Sequence, residues 1–389
     1  MSTSVIIDPV ELTKSLIACP SVTPNDAGVL QELQTHLEKI GFRCTRMPFA
    51  EEGTLSVDNL YASYGEGSPH LCFGGHTDVV PVGNPDSWSH NPFEAVIKDG
   101  KLFGRGAADM KSAIAAFTAA ASNFINAHKF TGTLSLLITN DEEGPAINGT
   151  KKVLEAITKN GEKIDACIVG EPTCPKQLGE MIKIGRRGSL TANIKIEGLQ
   201  GHVAYPQWTL NPIDALTKIL NNIINLKLDE GTEDFPPSNI EIVKIDADNT
   251  ADNVVPQTAT AQLNIRYNVL QNEAGLKKIL SDIADKELSG SKYQSQIKFR
   301  NSANPFLNKK SAFTQKIKAA VDEVTGLDSV FGTTGGTSDA RFFKDYCEVA
   351  ELGIRNQTLH QVDEFVYLSD IEDLQKIYLR IIENFFNKN

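Results

Sequence analysis

Residues 71–80 read LCFGGHTDVV, the pattern of a buried strand that ends in polar side chains. An apolar run at 71–73 suits a strand interior, and the glycines at 74–75 allow another part of the chain to approach closely. His76 and Asp78 lie two residues apart, so on an extended chain both side chains emerge on the same face. Ligands of open α/β sheets bind beyond the carboxyl ends of the strands. His76 is therefore a candidate metal ligand supported by Asp78, or else the two form an incidental ion pair.

On both sides of this stretch, apolar strand-like segments alternate with amphipathic helix-like segments. Thr133–Thr139 and Ala166–Val169 have the composition of buried strands, and about 26–40 and 150–158 have the periodicity of helices. Such alternation predicts an α/β fold with a mostly parallel sheet flanked by helices.

The pattern changes over about 189–300, where strand, helix, strand, strand, helix and strand follow one another. This order is typical of a ferredoxin-like α+β domain. After it, the first pattern resumes. We therefore expect one α/β domain in two parts, 1–188 and 301–389, with a smaller domain, 189–300, inserted into it.

The composition limits the classes of partner. The chain has 389 residues, with 49 Asp and Glu against 38 Lys and Arg, a formal charge of -11. Nucleic acid is not expected as a partner, because phosphate binding needs a basic face. The six cysteines form no C-x-x-C pair, the N-terminus lacks a secretory signal, and no stretch of about 18 apolar residues occurs. We expect a cytoplasmic protein without disulfides or a membrane partner.

Further acidic and histidine side chains follow the predicted strands. Glu142 and Glu143 follow one strand and Glu171 another, while Asp109 precedes a helix and His360 lies near the C-terminal part. Each residue alone is explained as well by a solvated turn, a helix N-terminus or a surface position. Together the four carboxylates would repel one another, and two divalent cations would neutralise them. Histidine and carboxylate ligands suit zinc, and one of the two neighbouring glutamates would then act as general base.

Other catalytic mechanisms lack their motifs. The sequence contains no G-x-S-x-G nucleophile turn, since GTSDA at 336–340 lacks the second glycine. It has neither a phosphate-binding G-x-x-x-x-G-K-[ST] loop nor a cysteine beside a histidine in a recognisable pattern. Metal-assisted hydrolysis therefore remains as the favoured chemistry.

Four segments in their order resemble the M20 metallopeptidase family: GHTDVVP at 75–81, GRGAADMK at 104–111, DEEG at 141–144 and GEPT at 170–173. The resemblance covers essentially the whole chain. It implies a zinc-exopeptidase-like catalytic domain that binds two Zn²⁺ per subunit, for which Co²⁺ can substitute. It also implies that the inserted domain forms a homodimer.

The resemblance also implies roles for individual residues. Asp78 would orient His76, and Glu142 would take a proton from the attacking water and return it to the leaving amine. His202 is expected to reach the partner's active site and stabilise the oxyanion there, and Asn253 to cross with it. The metal ligands would be His76, Asp109 and Glu171 for one ion, and Asp109, Glu143 and His360 for the other.

Segments 185–190, 201–206 and 335–341 are similar to those of a branch of the family with a carboxylate-rich substrate. The resemblance implies hydrolysis of N-succinyl-LL-2,6-diaminopimelate to succinate and LL-2,6-diaminopimelate, a step of lysine biosynthesis. Because the protein is acidic, local arginines must attract this substrate. The expected substrate-binding residues are Arg187, Tyr205, Asn253, Arg266, Thr334, Gly335 and Asn356.

Two alternatives stay open. The nearest is another M20 amide hydrolase, such as an N-acetylornithine deacetylase, an aminoacylase or a carboxypeptidase, acting on a different small N-acyl amino acid. The more remote one is a binding protein without catalysis on the same scaffold, which predicts no tightly bound zinc.

Overall fold

The computed structural model describes residues 5–247 and 249–386. The chain divides into two compact units. The described residues of unit 1 lie within Met1–Ile184, Asn308–Gly332 and Ser338–Asn389, and those of unit 2 within Gly185–Leu307 and Thr333–Thr337. Unit 2 thus begins at 185 rather than at the expected 189, ends at 307 rather than 300, and includes a short later segment. The parts of the expected domains at 1–4, 248 and 387–389 lie outside the described residues.

The helices within the described ranges are α1 (Pro9–Ile17), α2 (Val29–Lys39), α3 (Ser112–Ala127), α4 (Thr150–Lys159), α5 (Pro212–Ile224), α6 (Glu273–Leu288), α7 (Ala312–Thr325), α8 (Ala340–Phe343) and α9 (Leu368–Phe386). None of the helices in this described part combines the length and the apolar character that crossing a bilayer requires.

The strands within the same ranges are β1 (Arg43–Arg46), β2 (Leu60–Glu66), β3 (His70–His76), β4 (Val96–Lys98), β5 (Lys101–Phe103), β6 (Gly132–Thr139), β7 (Ala166–Val169), β8 (Met181–Lys183), β9 (Gly185–Arg186), β10 (Gly188–Glu197), β11 (Gly201–His202), β12 (Asn239–Asp246), β13 (Val254–Val255), β14 (Thr258–Tyr267), β15 (Gln294–Ala303), β16 (Phe306–Leu307), β17 (Val330–Gly332), β18 (Glu348–Glu351) and β19 (Phe365–Tyr367).

Unit 1 is built on an eight-stranded sheet with the order β1-β2-β6-β3-β7-β18-β8-β17. The central strands β6, β3, β7 and β18 are parallel to one another. Strand β2 is antiparallel to both of its neighbours, β1 and β6, and β8 is antiparallel to β18. The predicted α/β fold is therefore confirmed, with antiparallel strands toward the margins. The parallel strands end on the same side, so the loops after β3, β6, β7 and β18 meet there.

Helix α3 anchors the segment that carries Asp109. It is rich in alanine and buried almost all around, which lets its backbone pack closely against the sheet and α9. Phe117 on α3 stacks on Phe73 of β3 with ring centroids 4.4 Å apart, and Tyr378 of α9 packs edge-on against both rings. Burying a side chain of this size stabilises the fold by roughly 1.5–3 kcal/mol, so the start of α3 is well fixed.

Unit 2 contains a four-stranded antiparallel sheet with the order β12-β14-β10-β15. In chain order its main elements are β10, α5, β12, β14, α6 and β15, which confirms the ferredoxin-like arrangement. One face of the sheet is covered by the apolar sides of α5 and α6. Helix α5 begins at Pro212 because the Asn211 side chain accepts a hydrogen bond from the Ile213 N–H.

Candidate active site

His76 is the last residue of β3, and its imidazole is buried at the carboxyl end of the sheet. Its Nδ1 donates to the main-chain oxygen of Asp78 at 2.9 Å, which in the neutral ring assigns the lone pair to Nε2. The Asp78 carboxylate is 3.6 Å from Nδ1 and accepts hydrogen bonds from the main-chain N–H groups of Glu142 and Glu143 at 3.2 and 3.0 Å. The expected support for His76 thus comes mainly from the Asp78 main chain, while the carboxylate holds the turn after β6.

Asp109 lies between the two histidines. It belongs to a distorted helical turn, Ala107–Lys111, in which its φ of -123° and ψ of 97° depart from helical values. Its Oδ1 is 3.1 Å from His76 Nε2, and its Oδ2 is 3.3 Å from His360 Nε2. A carboxylate that presents one oxygen to each of two ligand groups has the arrangement required to bridge two metal ions.

The remaining expected ligands complete two neighbouring groups. Glu171 follows β7 and is 3.8 Å from His76 Nε2, and Glu143 Oε1 is 2.9 Å from His360 Nε2. The potential ligand atoms form two sets, and within each set they all lie within 4.8 Å of one another. One set comes from His76, Glu142 and Glu171, and the other from His76, Asp109 and Glu143. All five expected ligands converge, and Glu142 lies among them.

The electrostatics of this cluster are strongly perturbed. Burial acts to lower the pKa of His76, but the hydrogen bond and charge of Asp109 and the charges of Glu171 and Glu142 raise it well above its ordinary value. Hydrogen bonds to Asp109 and Glu143 raise the pKa of His360 to about 10. Burial, followed by the charge of Glu171, raises the pKa of Glu142 well above that of an ordinary glutamate.

The donor set fits two divalent cations. Without metal ions, protonated imidazoles of His76 and His360 balance part of the negative charge of the carboxylates. Bound metal ions would displace these protons and leave both imidazoles neutral. Imidazole nitrogens and carboxylate oxygens are ligands of zinc and similar ions.

The expected catalytic residue of unit 2, His202, is exposed on the short strand β11, which pairs with β13. Its Nδ1 accepts a hydrogen bond from the Ala204 N–H at 3.1 Å. This contact assigns the hydrogen of the neutral ring to Nε2, which can then donate to an oxygen. The Tyr205 ring packs edge-on against His202 at 5.7 Å, and the Asn253 main-chain oxygen accepts from the Val203 N–H.

The two expected arginines are neighbours at one end of the unit 2 sheet. Arg187 donates to the Asn239 side chain at 2.9 Å. Arg266 of β14 lies directly opposite Asn239 of β12 in the antiparallel sheet. Burial lowers the pKa of both guanidinium groups, and the charge of Arg187 lowers that of Arg266 further. Within residues 5–247 and 249–386, no carboxylate forms an ion pair with either group. Two adjacent cations without such a partner are suited to bind an anion.

The other expected substrate-binding residues lie in two places. Thr334 and Gly335 belong to the later segment of unit 2, where Gly335 has a φ of 99° that favours glycine. Asn356 belongs to unit 1, and its N–H donates to the Cys174 main-chain oxygen at 2.9 Å. Arg186 was not selected from the sequence, yet it is buried and donates to the main-chain oxygen of Gly336, next to Gly335.

Two further residues were missed. Arg105 and Glu364 form a buried ion pair 2.7 Å long beside the Asp109 turn and the His360 loop. In the sequence each lies close to a selected residue, and that proximity was the only available signal. Nothing in their local patterns marks them as partners.

Comparisons with known proteins were made for the whole chain. The model of a family described as peptidase family M20/M25/M40 matches residues 72–384. A succinyl-diaminopimelate desuccinylase of Parvibaculum lavamentivorans is 50% identical over 382 residues, which cover 97% of this chain and 96% of that protein. Another protein of that name, from Phenylobacterium zucineum, is 48% identical over 98% of this chain and 100% of its own length.

Solved structures with this fold share little sequence with the chain. A tripeptidase of Staphylococcus aureus superposes with a TM-score of 0.81 at 18% identity, covering 97% of this chain and 99% of that one. A metallo-carboxypeptidase of Sulfolobus solfataricus gives 0.78 at 17%, covering 98% and 99%. The YXEP protein of Bacillus subtilis, described as a dinuclear metal-binding peptidase, gives 0.70 at 17%, covering 97% and 98%.

Proposed function

The chain belongs to peptidase family M20/M25/M40, and from this premise we propose that it is a metal-dependent hydrolase of a linear amide. Its substrate is N-succinyl-LL-2,6-diaminopimelate, which it cleaves to succinate and LL-2,6-diaminopimelate in lysine biosynthesis. The observation that carries the chemistry is Asp109, whose two carboxylate oxygens face His76 and His360 separately. The substrate rests on the likeness to curated desuccinylases over nearly the full length.

We assign two Zn²⁺ per subunit, for which Co²⁺ can substitute. One ion would be held by His76, Asp109 and Glu171, and the other by Asp109, Glu143 and His360. When bound, such ions polarise the amide carbonyl and make a water molecule more acidic. The main-chain oxygen of Asp78 keeps the His76 ring in the tautomer that leaves Nε2 available.

Glu142 transfers the proton in this proposal. Its carboxylate takes a proton from the attacking water, whose oxygen bonds to the amide carbon, and it returns that proton to the nitrogen when the C–N bond breaks. The position of the Glu142 carboxylate beside the proposed ligands His76 and Glu171 supports this role.

Unit 2 supplies the oxyanion donor and the dimer contact. We propose that His202 of one subunit donates from Nε2 to the oxyanion in the partner's active site, and that Asn253 accompanies it. The contact from Ala204 to Nδ1 supports a hydrogen on Nε2. The proposed homodimer contact is the edge strand β12, where Val243 and Ile245 are 57% and 63% exposed.

The substrate carboxylates are bound by cations and neutral donors. Arg187 and Arg266 would each pair with a carboxylate, which would relieve their mutual repulsion. The buried Arg186 is a further candidate because it contacts the segment that contains Gly335. Neutral hydrogen bonds and packing would come from Tyr205, Asn253, Thr334, Gly335 and Asn356.

We also propose a cytoplasmic location and a small-molecule substrate rather than a nucleic acid or a membrane. All six cysteines are free thiols, which suits a reducing compartment, and the formal charge of -11 disfavours phosphate backbones.

The test is hydrolysis of N-succinyl-LL-2,6-diaminopimelate and of N-acetylornithine by chelated protein, with and without added zinc. Zinc-dependent release of succinate, with no acetate released, is the expected result. Cleavage of N-acetylornithine instead would keep the chemistry and contradict the substrate. No cleavage of either compound, together with no tightly bound zinc, would favour a binding protein on the same scaffold.

A further inference from the structure

The ion pair between Arg105 and Glu364 lies where the segments carrying two proposed ligands meet. Arg105 is 2% exposed and Glu364 is fully buried. Their chain segments are already adjacent, because Phe103 of β5 pairs with Phe365 of β19. This pairing of β5 with β19 brings the two segments together. The turns next to the paired strands are oriented by side chains instead.

Glu364 holds the turn that presents Asp109. Its Oε1 accepts hydrogen bonds from the N–H groups of Ala108 and Asp109 at 2.8 and 3.1 Å. Its Oε2 accepts from the Gly106 N–H at 3.1 Å and from Arg105 Nη1 at 2.7 Å. These donors at the start of a helical turn would otherwise be buried without an acceptor. The carboxylate therefore determines the main-chain position of Asp109.

Arg105 holds the loop that presents His360. Nη1 also donates to the Gln361 main-chain oxygen at 3.3 Å, and Nη2 donates to the main-chain oxygens of His360 and Pro81 at 3.5 and 3.3 Å. His360 has a φ of 60°, an unfavourable value for a residue with a side chain, so its loop needs external contacts to keep this conformation. The guanidinium supplies them with geometry that an ammonium group cannot reproduce.

We propose that Arg105 and Glu364 are positioning residues for the metal ligands. Arg105 sets the position of His360, and thereby the affinity of the ion held by Asp109, Glu143 and His360, whereas Glu364 sets the position of Asp109, and thereby the affinity of both ions. The inference rests on the two metal ions of the proposed function. Neither residue touches an ion; both act through the main chain of the ligands. The other ion, at His76 and Glu171, depends on Arg105 less, because His76 ends β3 and Glu171 lies two residues after β7.

The test is zinc titration of the full-length, metal-depleted protein by calorimetry, without substrate. The main variant is Arg105→Lys, which keeps the charge beside Glu364 but loses the reach to the three main-chain oxygens. We expect the zinc affinity of one of the two sites to fall about 10–100-fold, the usual effect of losing a group that orients metal ligands. The zinc affinity of the other site should change less than about threefold. In the Co²⁺-loaded protein, the absorption spectrum of one site should change and that of the other should not.

The matched control is Arg46→Lys, since Arg46 pairs with Asp58 at 2.5 Å in the same unit, away from the ligand segments. It should leave both zinc affinities unchanged. If Arg105→Lys binds two zinc ions as tightly as wild type, the proposal is wrong. Equal weakening of both sites, accompanied by a lower melting temperature than that of Arg46→Lys, would indicate a merely structural role and also overturn it.

Glu364→Gln provides a second variant, in which an amide replaces the carboxylate that accepts from Asp109. Because Asp109 serves both ions, we expect both zinc sites to weaken, and Glu364→Asp to recover part of the affinity. Unchanged affinities in Glu364→Gln would contradict the proposal. A wild-type protein that binds two zinc ions but does not release succinate would contradict the proposed substrate and leave this inference intact.

Discussion

Two adjacent glutamates after β6 have different surroundings. Glu143 contacts His360 directly at 2.9 Å, whereas the environment of Glu142 is dominated by burial and by the charge of Glu171. The Asp78 carboxylate holds both main-chain N–H groups, so the turn itself is rigid. Identical side chains at consecutive positions can therefore take different roles, one as a ligand and the other as the proton carrier.

The variant Glu142→Gln tests this difference. The amide side chain cannot carry a proton, so turnover should fall by roughly 10²–10⁴-fold, the usual contribution of a general acid–base group. Both zinc ions should remain bound, because Glu142 is not one of the proposed ligands. Succinate release and zinc content by atomic absorption are the measurements. Loss of a zinc ion would instead identify Glu142 as a ligand, and retained turnover would contradict its role as base.

At the scale of elements, a single carboxylate joins two connections of unit 2. Asp229, after α5, accepts hydrogen bonds at Oδ1 from the N–H groups of Gly231 and Ser238 at 2.9 and 3.1 Å. The same oxygen accepts from the Asn268 side chain, after β14, at 2.7 Å. Burial acts to raise the pKa of Asp229, but the bonds from Ser238, Asn268 and Gly231 outweigh it and lower the pKa to about 2.

This shift predicts a pH-dependent contribution to stability. The folded-state pKa of about 2 lies below the unfolded value of about 3.9, so the contribution is fully present above about pH 4 and is lost as the pH falls toward 2. Allowing for partial exposure, Asp229→Asn should lower the free energy of unfolding by about 1–2 kcal/mol at pH 7 and by about half as much at pH 3. Urea unfolding at both pH values measures this difference.

The control for that experiment is Asp282→Asn, since Asp282 forms an exposed helical pair with Lys278. Its effect should stay within about 0.5 kcal/mol at either pH. A penalty for Asp229→Asn that is the same at pH 7 and pH 3 would show that ionisation of Asp229 does not contribute.

At the scale of the whole molecule, the proposed mechanism includes a residue from a second subunit. β12 is an edge strand of the sheet in the described part of unit 2, and its Val243 and Ile245 side chains are largely exposed. Exposed apolar residues on an unpaired edge favour association with another strand. If His202 acts in the partner's site, turnover depends on this contact.

Placing lysines on that edge tests the dependence. The double variant Val243→Lys/Ile245→Lys should sediment as a monomer because like charges on the two β12 strands repel. Its turnover should fall by roughly 10²–10³-fold, the effect of losing one oxyanion donor. Gln296→Lys, on the opposite edge strand β15, is the control and should remain dimeric and active. A fully active monomer would contradict the role of His202 in the partner's site, and a persistent dimer would contradict a β12 interface.

Local patterns in the sequence were sufficient for the elements and for the chemical nature of the site. The strand expected at 133–139 occupies Gly132–Thr139, and α1 begins where the Asp8 carboxylate accepts hydrogen bonds from the N–H groups of Val10 and Glu11. Propensity, periodicity and capping act over a few residues, so they can be read without knowing the fold.

The sequence by itself thus determined the α/β and ferredoxin-like folds and the residue types of the proposed metal site. Only the tertiary structure decided which atoms meet: the two oxygens of Asp109 with two histidines, and the Asp78 carboxylate with the turn after β6. It also paired Arg105 with Glu364, which lie 259 residues apart. Such contacts depend on strand order and on burial, which force polar groups to find partners far along the chain, and no local pattern encodes that choice.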